Sequence, residues 1–244
     1  GLPRAVHDVI QALQCQQATP RPISGRGGRS GSGKSSLVLA GVIPVLTEPG
    51  VIERVSSWKR AVMRPSDAEG SLLSTLAVTL LCEDTPDPVQ VESLSTILEH
   101  KPEVAASNVV AQLDELGANA CLALVVDQME ELFTDQRLTE QRSGFVRALQ
   151  ALAETQRVWI VGTLRSDFFD RTATLPALVQ LMEGDGQFHL LPPTSAEIGQ
   201  MIRQPAALAG LRFEQNDTQG NLDDLLRDAA VDDASALPLL EFAL

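Results

Sequence analysis

The stretch Gly28-Arg29-Ser30-Gly31-Ser32-Gly33-Lys34-Ser35-Ser36 matches the spacing G-x-x-x-x-G-K-[ST] without a mismatch. That spacing suits a loop wrapped around a chain of phosphates. Close wrapping needs several backbone N–H groups pointing inward, and side chains would obstruct the approach. Gly28, Gly31 and Gly33 leave the backbone bare and free to take positive φ, while Ser30, Ser32 and Ser36 complete the stretch expected to cradle the phosphates. Lys34 offers a cation to the β- and γ-phosphates, and Ser35 a hydroxyl to Mg²⁺. A helix opening at Lys34 adds its positive N-terminal dipole. The bland alternative is a Gly/Ser linker, but the apolar run Leu37-Val38-Leu39-Ala40 that follows predicts a helix instead.

A second stretch carries a carboxylate. Cys121-Leu122-Ala123-Leu124-Val125-Val126-Asp127 is six apolar residues closed by an acid, the pattern of a strand buried on both faces. At the carboxyl edge of an open α/β sheet, Asp127 is placed to help Ser35 hold Mg²⁺. In the following Gln128-Met129-Glu130-Glu131-Leu132-Phe133, a helix would bury Met129, Leu132 and Phe133 and leave Glu130 and Glu131 off that face. One of the two acids, with a slight preference for Glu130, orients an attacking water; the alternative is that both simply favour a helix N-terminus. Val158–Leu164 reads as another buried strand, closed by Arg165. Arg165 either reaches a γ-phosphate at the same sheet edge or forms a surface ion pair with Asp167 or Asp170.

These residues need a scaffold, and 244 residues with 44% hydrophobic content suffice for one α/β domain and a small second unit. The net charge of −13 is uneven: residues 1–64 hold nine Lys/Arg against three Asp/Glu, and the rest hold ten against 29. The basic end carries the glycine-rich loop, which favours a local polyanion such as a nucleotide, while the bulk acidity disfavours general nucleic-acid binding. Cys15, Cys82 and Cys121 are odd in number and unclustered. With no signal peptide and no bilayer-spanning apolar run, they predict a cytoplasmic protein without structural zinc or membrane contact.

Helices are expected over 4–17, 71–81, 89–99 and 103–116, and a strand over Trp58–Met63 that Arg64-Pro65 stops. A break is expected at Gly41 and Pro44. The strand that should precede the loop, Ile23-Ser24-Gly25-Arg26-Gly27, is a poor one: Gly weakens strand interiors, and a central Arg has nowhere dry to go. Pro192-Pro193 mark a boundary, and Thr194-Ser195-Ala196-Glu197 is a capping box that opens a helix. Helical patterns alone follow, over 194–204, about 221–230, and from Leu237 onward. The expected organisation is an α/β core over 1–191, with a parallel sheet and helices on both faces, and the start of a helical lid over 192–244. The apolar segment running to Leu244 without a terminator predicts a fragment of a longer protein.

With these residues in hand, the chain resembles the STAND class of P-loop ATPases, and most of all its bacterial novel-STAND group, often joined to WD-repeat propellers. The resemblance rests on SGSGKSSL with Ala40-Gly41…Pro44, on Val126-Asp127-Gln128-Met129-Glu130-Glu131-Leu132-Phe133-Thr134, on Thr163-Leu164-Arg165-Ser166-Asp167-Phe168, and on Ala236-Leu237-Pro238-Leu239-Leu240. It implies an ASCE-type P-loop core that binds ATP or ADP with Mg²⁺, with Arg165 sensing the γ-phosphate. It also implies that Pro238 packs near the base, although Ala236 stands where the family's G-x-P has Gly. ATP over GTP follows from the resemblance and from the absence of an N-K-x-D guanine motif. The implied function is a slowly hydrolysing switch in a multidomain protein, with partners engaged through flanking domains and possible nucleotide-dependent oligomers. The rivals are a module that holds ADP or nothing without hydrolysis, and a P-loop kinase, for which no acceptor motif is visible.

Overall fold

A computed structural model describes residues 4–15, 23–26, 33–68, 70–182, 187–189, 194–214 and 221–232. Arg4–Cys15 forms α1 and buries Val6, Val9 and Ile10 on one face, as their helical spacing predicts. Ile23–Arg26 is β1. Next, α2 (Lys34–Ser36), a π-helical turn (Leu37–Val42) and α3 (Ile43–Leu46) run on as one uninterrupted helical segment.

The break expected at Gly41 and Pro44 is therefore absent. The Ile43 N–H bonds to the Val38 carbonyl, five residues back. Widening the turn to that spacing accommodates a residue that has no N–H and whose ring would crowd the preceding turn. Gly41 serves packing instead: a Cβ there would lie 2.7 Å from Val6 Cγ2, so a bare backbone lets this segment touch α1.

Trp58–Met63 is β2, and a 3₁₀ turn over Pro65–Asp67 follows it. Three helices come next: α4 (Leu72–Leu81), α5 (Pro88–His100) and α6 (Pro102–Asp114). Ser71 and Asp87 cap the first two through their side chains, and Pro88 and Pro102 sit in the first turns, where a missing N–H costs nothing. Cys121–Val126 is β3, followed by the short α7 (Glu131–Thr134) and by α8 (Arg142–Glu154). Val158–Leu164 is β4; a 3₁₀ stretch over Ser166–Thr174, α9 (Pro176–Met182) and β5 (Gln187–His189) complete the sheet unit.

All five strands are parallel, in the order β2-β3-β4-β1-β5. The poor strand does form. Ile23–Arg26 pairs with Val161–Leu164 on one side, and Ser24–Arg26 with Gln187–His189 on the other. Backbone ladders on both flanks outweigh its weak side-chain propensity.

Alternation along β3 sorts the core into two layers. Leu122, Leu124 and Val126 face α4, α5, α6, α8 and α9, while Cys121, Ala123 and Val125 face α1 and α3. The chain leaves β1 for β2 at the far edge through helices on one face, then steps back through β3 and β4 to β5 using helices on the other. Reversing direction and face together keeps every crossover the same hand, as parallel connections require. It also makes β1 the point where strand order turns, with the carboxyl ends of β1, β3 and β4 on one edge.

The chain divides into two compact units, Gly1–Arg26 with Ser35–His189, and Gly27–Lys34 with Leu190–Leu244. In the second, α10 (Ser195–Leu208) and α11 (Leu222–Asp232) pack through Ile198, Ile202 and Ala230, with Phe213 and Leu226 against them. The expected capping box is present: the Thr194 N–H donates to Glu197 Oε2 at 2.7 Å, and the Glu197 N–H to Thr194 Oγ1 at 3.3 Å. Arg203 of α10 pairs with Asp223 and Asp224 of α11, which ties the two helices on their polar side, while Arg227 pairs with Asp224 within α11. No helix among the described residues is long and apolar enough to cross a membrane.

Candidate functional site

The glycine-rich loop enters the described residues at Gly33, whose φ of +73° is the left-handed conformation that the spacing asks of a glycine. Lys34 and Ser35 then open α2. Gly28, Ser30, Gly31 and Ser32 lie outside the described residues, as does Pro238. Ser36 is exposed in α2.

Ser35 and Asp127 meet. The Ser35 hydroxyl donates to Asp127 Oδ1 at 2.7 Å, and the Thr163 hydroxyl donates to the same oxygen at 2.7 Å. Asp127 is fully buried. Its other oxygen, Oδ2, accepts from Arg64 Nε at 3.2 Å, an ion pair whose arginine side chain is 45% exposed. A carboxylate withdrawn from water needs such partners, because an unpaired buried charge costs far more than any one contact returns. Every uncharged donor here is a hydroxyl and the acceptor is a carboxylate, a set of hard oxygens that suits Mg²⁺. Among the described residues no group of three or more His, Cys, Asp and Glu stands ready for a metal. A cation at Ser35 and Asp127 would therefore share its ligands with phosphate oxygens and water, as Mg²⁺ does in nucleotide sites.

Thr163 also fixes the chain beyond Asp127. Gln128 sits at φ 58°, a left-handed conformation uncommon outside glycine. Its N–H donates to Thr163 Oγ1 at 2.8 Å, and the Met129 N–H donates to the Thr163 carbonyl at 2.8 Å. One residue at the end of β4 thus orients the carboxylate and holds the strained turn that leads to Glu130 and Glu131.

The two acids diverge. Met129 and Leu132 are buried as the pattern predicts, Phe133 is only half-buried against the same core, and both glutamates lie off that face. Glu130 Oε2 accepts the Arg165 backbone N–H at 3.3 Å, on the β4 side of β3. Glu131 Oε2 accepts the Ser66 N–H at 2.8 Å, on the β2 side. Since β4 lies between β3 and β1, Glu130 leans toward the strand that feeds the glycine-rich loop and Glu131 leans away from it.

Arg165 pairs with Asp167, one of the two acids named as alternative partners, through Nε to Oδ1 at 3.1 Å and Nη2 to Oδ2 at 2.7 Å. Its guanidinium also lies 5.6 Å from the Phe168 ring centre, with Arg171 at 4.9 Å from the same ring. The hydrogen bonds to Asp167 raise the Arg165 pKa above its usual value, and the Glu130 charge pushes the same way.

Sequence reasoning treated Arg64 only as the stop of a strand and Thr163 only as part of a motif. The missed signal was positional. A charged or hydroxyl residue at the carboxyl end of a parallel strand lies on the ligand edge of the sheet. Thr163 lies near that end of the buried β4, and Arg64 directly follows the half-exposed edge strand β2.

The comparisons with known proteins agree with this layout. The ADP form of the Aeropyrum pernix ORC2 protein superposes with a TM-score of 0.61 at 15% identity, covering 98% of this chain and 63% of that one. The same protein in its ADPNP–ADP complexes gives 0.55 at 16% identity, covering 83% and 51%. A Walker-type ATPase of Pyrococcus abyssi gives 0.51 at 13% identity, covering 96% and 64%. This chain therefore spans between half and two thirds of the solved proteins it matches, and at such identities the likeness speaks for the fold alone. No curated protein matches the chain. The model of the family Novel STAND NTPase 1 matches residues 3–244, nearly the whole length, and the chain belongs to that family of P-loop NTPases.

Proposed function

We propose that the chain is the ATP-binding, slowly hydrolysing switch module of a larger protein. The observation that carries this reading is the buried Asp127 held by Ser35 and Thr163, with Ser35 directly following the lysine of a complete phosphate-loop motif. Gly28–Gly33 wrap the phosphates, and Lys34 neutralises charge at the β- and γ-positions. Ser35 and Asp127 are the protein ligands for Mg²⁺, which when bound screens the phosphates and polarises the bond to be cut. Thr163 keeps Asp127 in a single orientation. Glu130 accepts a hydrogen bond from the water that attacks the γ-phosphate and aligns it, so its contribution is positioning rather than covalent chemistry. Glu131 braces the turn after β2. Arg165 leaves Asp167 for the γ-phosphate, which makes its pairing differ between ATP and ADP. Roles for Pro238 at the base and for the segment after Pro193 as a nucleotide-responsive lid belong to this proposal and rest on the family resemblance alone.

One observation favours a second reading. Arg165 is engaged by Asp167 at two points, which suits a module that holds ADP without turnover. Calorimetric titration with ATP, ADP and GTP, with and without Mg²⁺, tests nucleotide choice, and phosphate release over many turnovers separates the readings. Tight ADP binding without phosphate release would favour the passive module. Absence of binding by any of the three nucleotides would reject the switch and leave the module that holds nothing.

A further inference from the structure

We propose that Arg64 is a built-in counter-cation for Asp127, a latch that holds the carboxylate closed until a divalent cation takes its place. The inference rests on the reading of Ser35 and Asp127 as the Mg²⁺ ligands. The two oxygens of Asp127 are used differently. Oδ1 takes the Ser35 and Thr163 hydroxyls, an arrangement that leaves the Ser35 lone pairs able to face a cation. Oδ2 is the oxygen left to meet an incoming charge, and Arg64 Nε is on it.

The pair is built to exchange. It is a single contact of 3.2 Å, long beside the ~2.7–2.9 Å of a strong charge-assisted bond, whereas Arg165 grips Asp167 at two points. The carboxylate is fully buried but the arginine side chain is 45% exposed, so the guanidinium can move into water while Asp127 cannot. Among the described residues, Asp127 without Arg64 would be a buried charge faced by the Ser35 and Thr163 hydroxyls, a costly state. Mg²⁺ and Arg64 therefore compete for one oxygen, and the latch raises the cation concentration needed to load the site.

The turn that carries Arg64 is held independently of this contact. The Arg64 backbone N–H donates to Asp67 Oδ2 at 3.1 Å, a bond any residue type can make, and the Ser66 N–H donates to Glu131. Releasing the side chain leaves the turn in place, so a substitution at Arg64 tests the latch without dismantling the strand end. The same turn reaches α7 through Glu131.

The test is the Mg²⁺ dependence of ADP binding, measured by calorimetry on the parent, Arg64→Met and Arg64→Lys. With the competing charge gone, Arg64→Met is expected to reach half-maximal enhancement at an Mg²⁺ concentration lower by about fivefold or more, with ADP affinity in EDTA unchanged. Arg64→Lys, which keeps a cation, should stay closer to the parent. An unchanged or higher Mg²⁺ requirement in Arg64→Met overturns the latch, and so does a loss of ADP affinity in EDTA, which would make Arg64 a phosphate ligand. A parent that binds no ADP at any Mg²⁺ concentration defeats the nucleotide reading and leaves the latch to a second measurement. Arg64→Met should then melt lower than the parent in metal-free buffer and gain more from millimolar Mn²⁺ alone; an equal or smaller gain overturns the latch.

Discussion

Ser35 Oγ lies 2.7 Å from Asp127 Oδ1 across 92 residues of chain. Ser35 lies in α2, downstream of β1, and Asp127 directly follows β3, two strands that are not neighbours because β4 lies between them. Thr163, near the end of β4, stands in that gap and donates to the same oxygen. The contact is therefore a three-strand construction rather than a local one, and its middle member is open to test.

Thr163→Val keeps the shape and removes the hydroxyl. The buried Asp127 loses a donor and the half-buried Gln128 N–H loses its acceptor, so unfolding free energy should fall by about 1–3 kcal/mol. Urea denaturation measures it. An unchanged midpoint would mean that Asp127 is held well enough by Ser35 and Arg64 alone.

The two glutamates should separate in kinetics. Glu130→Gln is expected to slow phosphate release by about tenfold or more with ATP affinity nearly unchanged, the signature of a group that acts only in the transition state. Glu131→Ala should leave turnover close to the parent and cost about 0.5–1 kcal/mol of stability, because it removes the acceptor of the Ser66 N–H. The reverse pattern would exchange the roles assigned to them.

Lys34→Ala should weaken ATP binding by roughly tenfold to a hundredfold, the loss of one charge-assisted contact worth about 1.5–3 kcal/mol. Calorimetry reads it directly. Equal affinity in variant and parent would sink the phosphate-loop assignment.

Arg165 and Asp167 make a paired prediction. Arg165→Ala should weaken ATP by about tenfold while leaving ADP nearly intact, because only ATP offers the γ-phosphate. Asp167→Ala releases the guanidinium from an exposed ion pair worth about 0.2–1 kcal/mol, so ATP affinity should rise by a few-fold at most. Equal effects of Arg165→Ala on ATP and ADP would argue that Arg165 does not sense the third phosphate.

β1 offers a stability test in the strand that feeds the glycine-rich loop. Gly25 and Arg26 lie in a strand paired on both sides, Gly25 opposite Thr163 and Phe188. Gly25→Val with Arg26→Val should raise unfolding free energy by about 0.5–1 kcal/mol from the glycine alone, with the arginine change adding to it. A drop in thermal midpoint would show that these positions are chosen for the loop they feed and not for the strand.

What the sequence determined by itself was whatever short-range physics encodes. Apolar runs closed by a charge marked β3 and β4, helical spacing marked α1 and α4, and Thr194 with Glu197 announced their own capping box. The glycine-rich loop and Asp127 were legible because their chemistry demands particular residue types at particular spacings. Propensity alone misjudged β1 and the helix through Pro44. The first is held by ladders to strands more than a hundred residues away, and the second by a widened turn that no composition reveals. Tertiary structure alone decided which neighbours meet at the strand ends. Strand order set Thr163 between Ser35 and Asp127, sent Glu130 toward β4 and Glu131 toward β2, and laid Arg64 on the second oxygen of Asp127. Those choices depend on how distant segments pair in the sheet, and a linear pattern of residues carries that information only in sum.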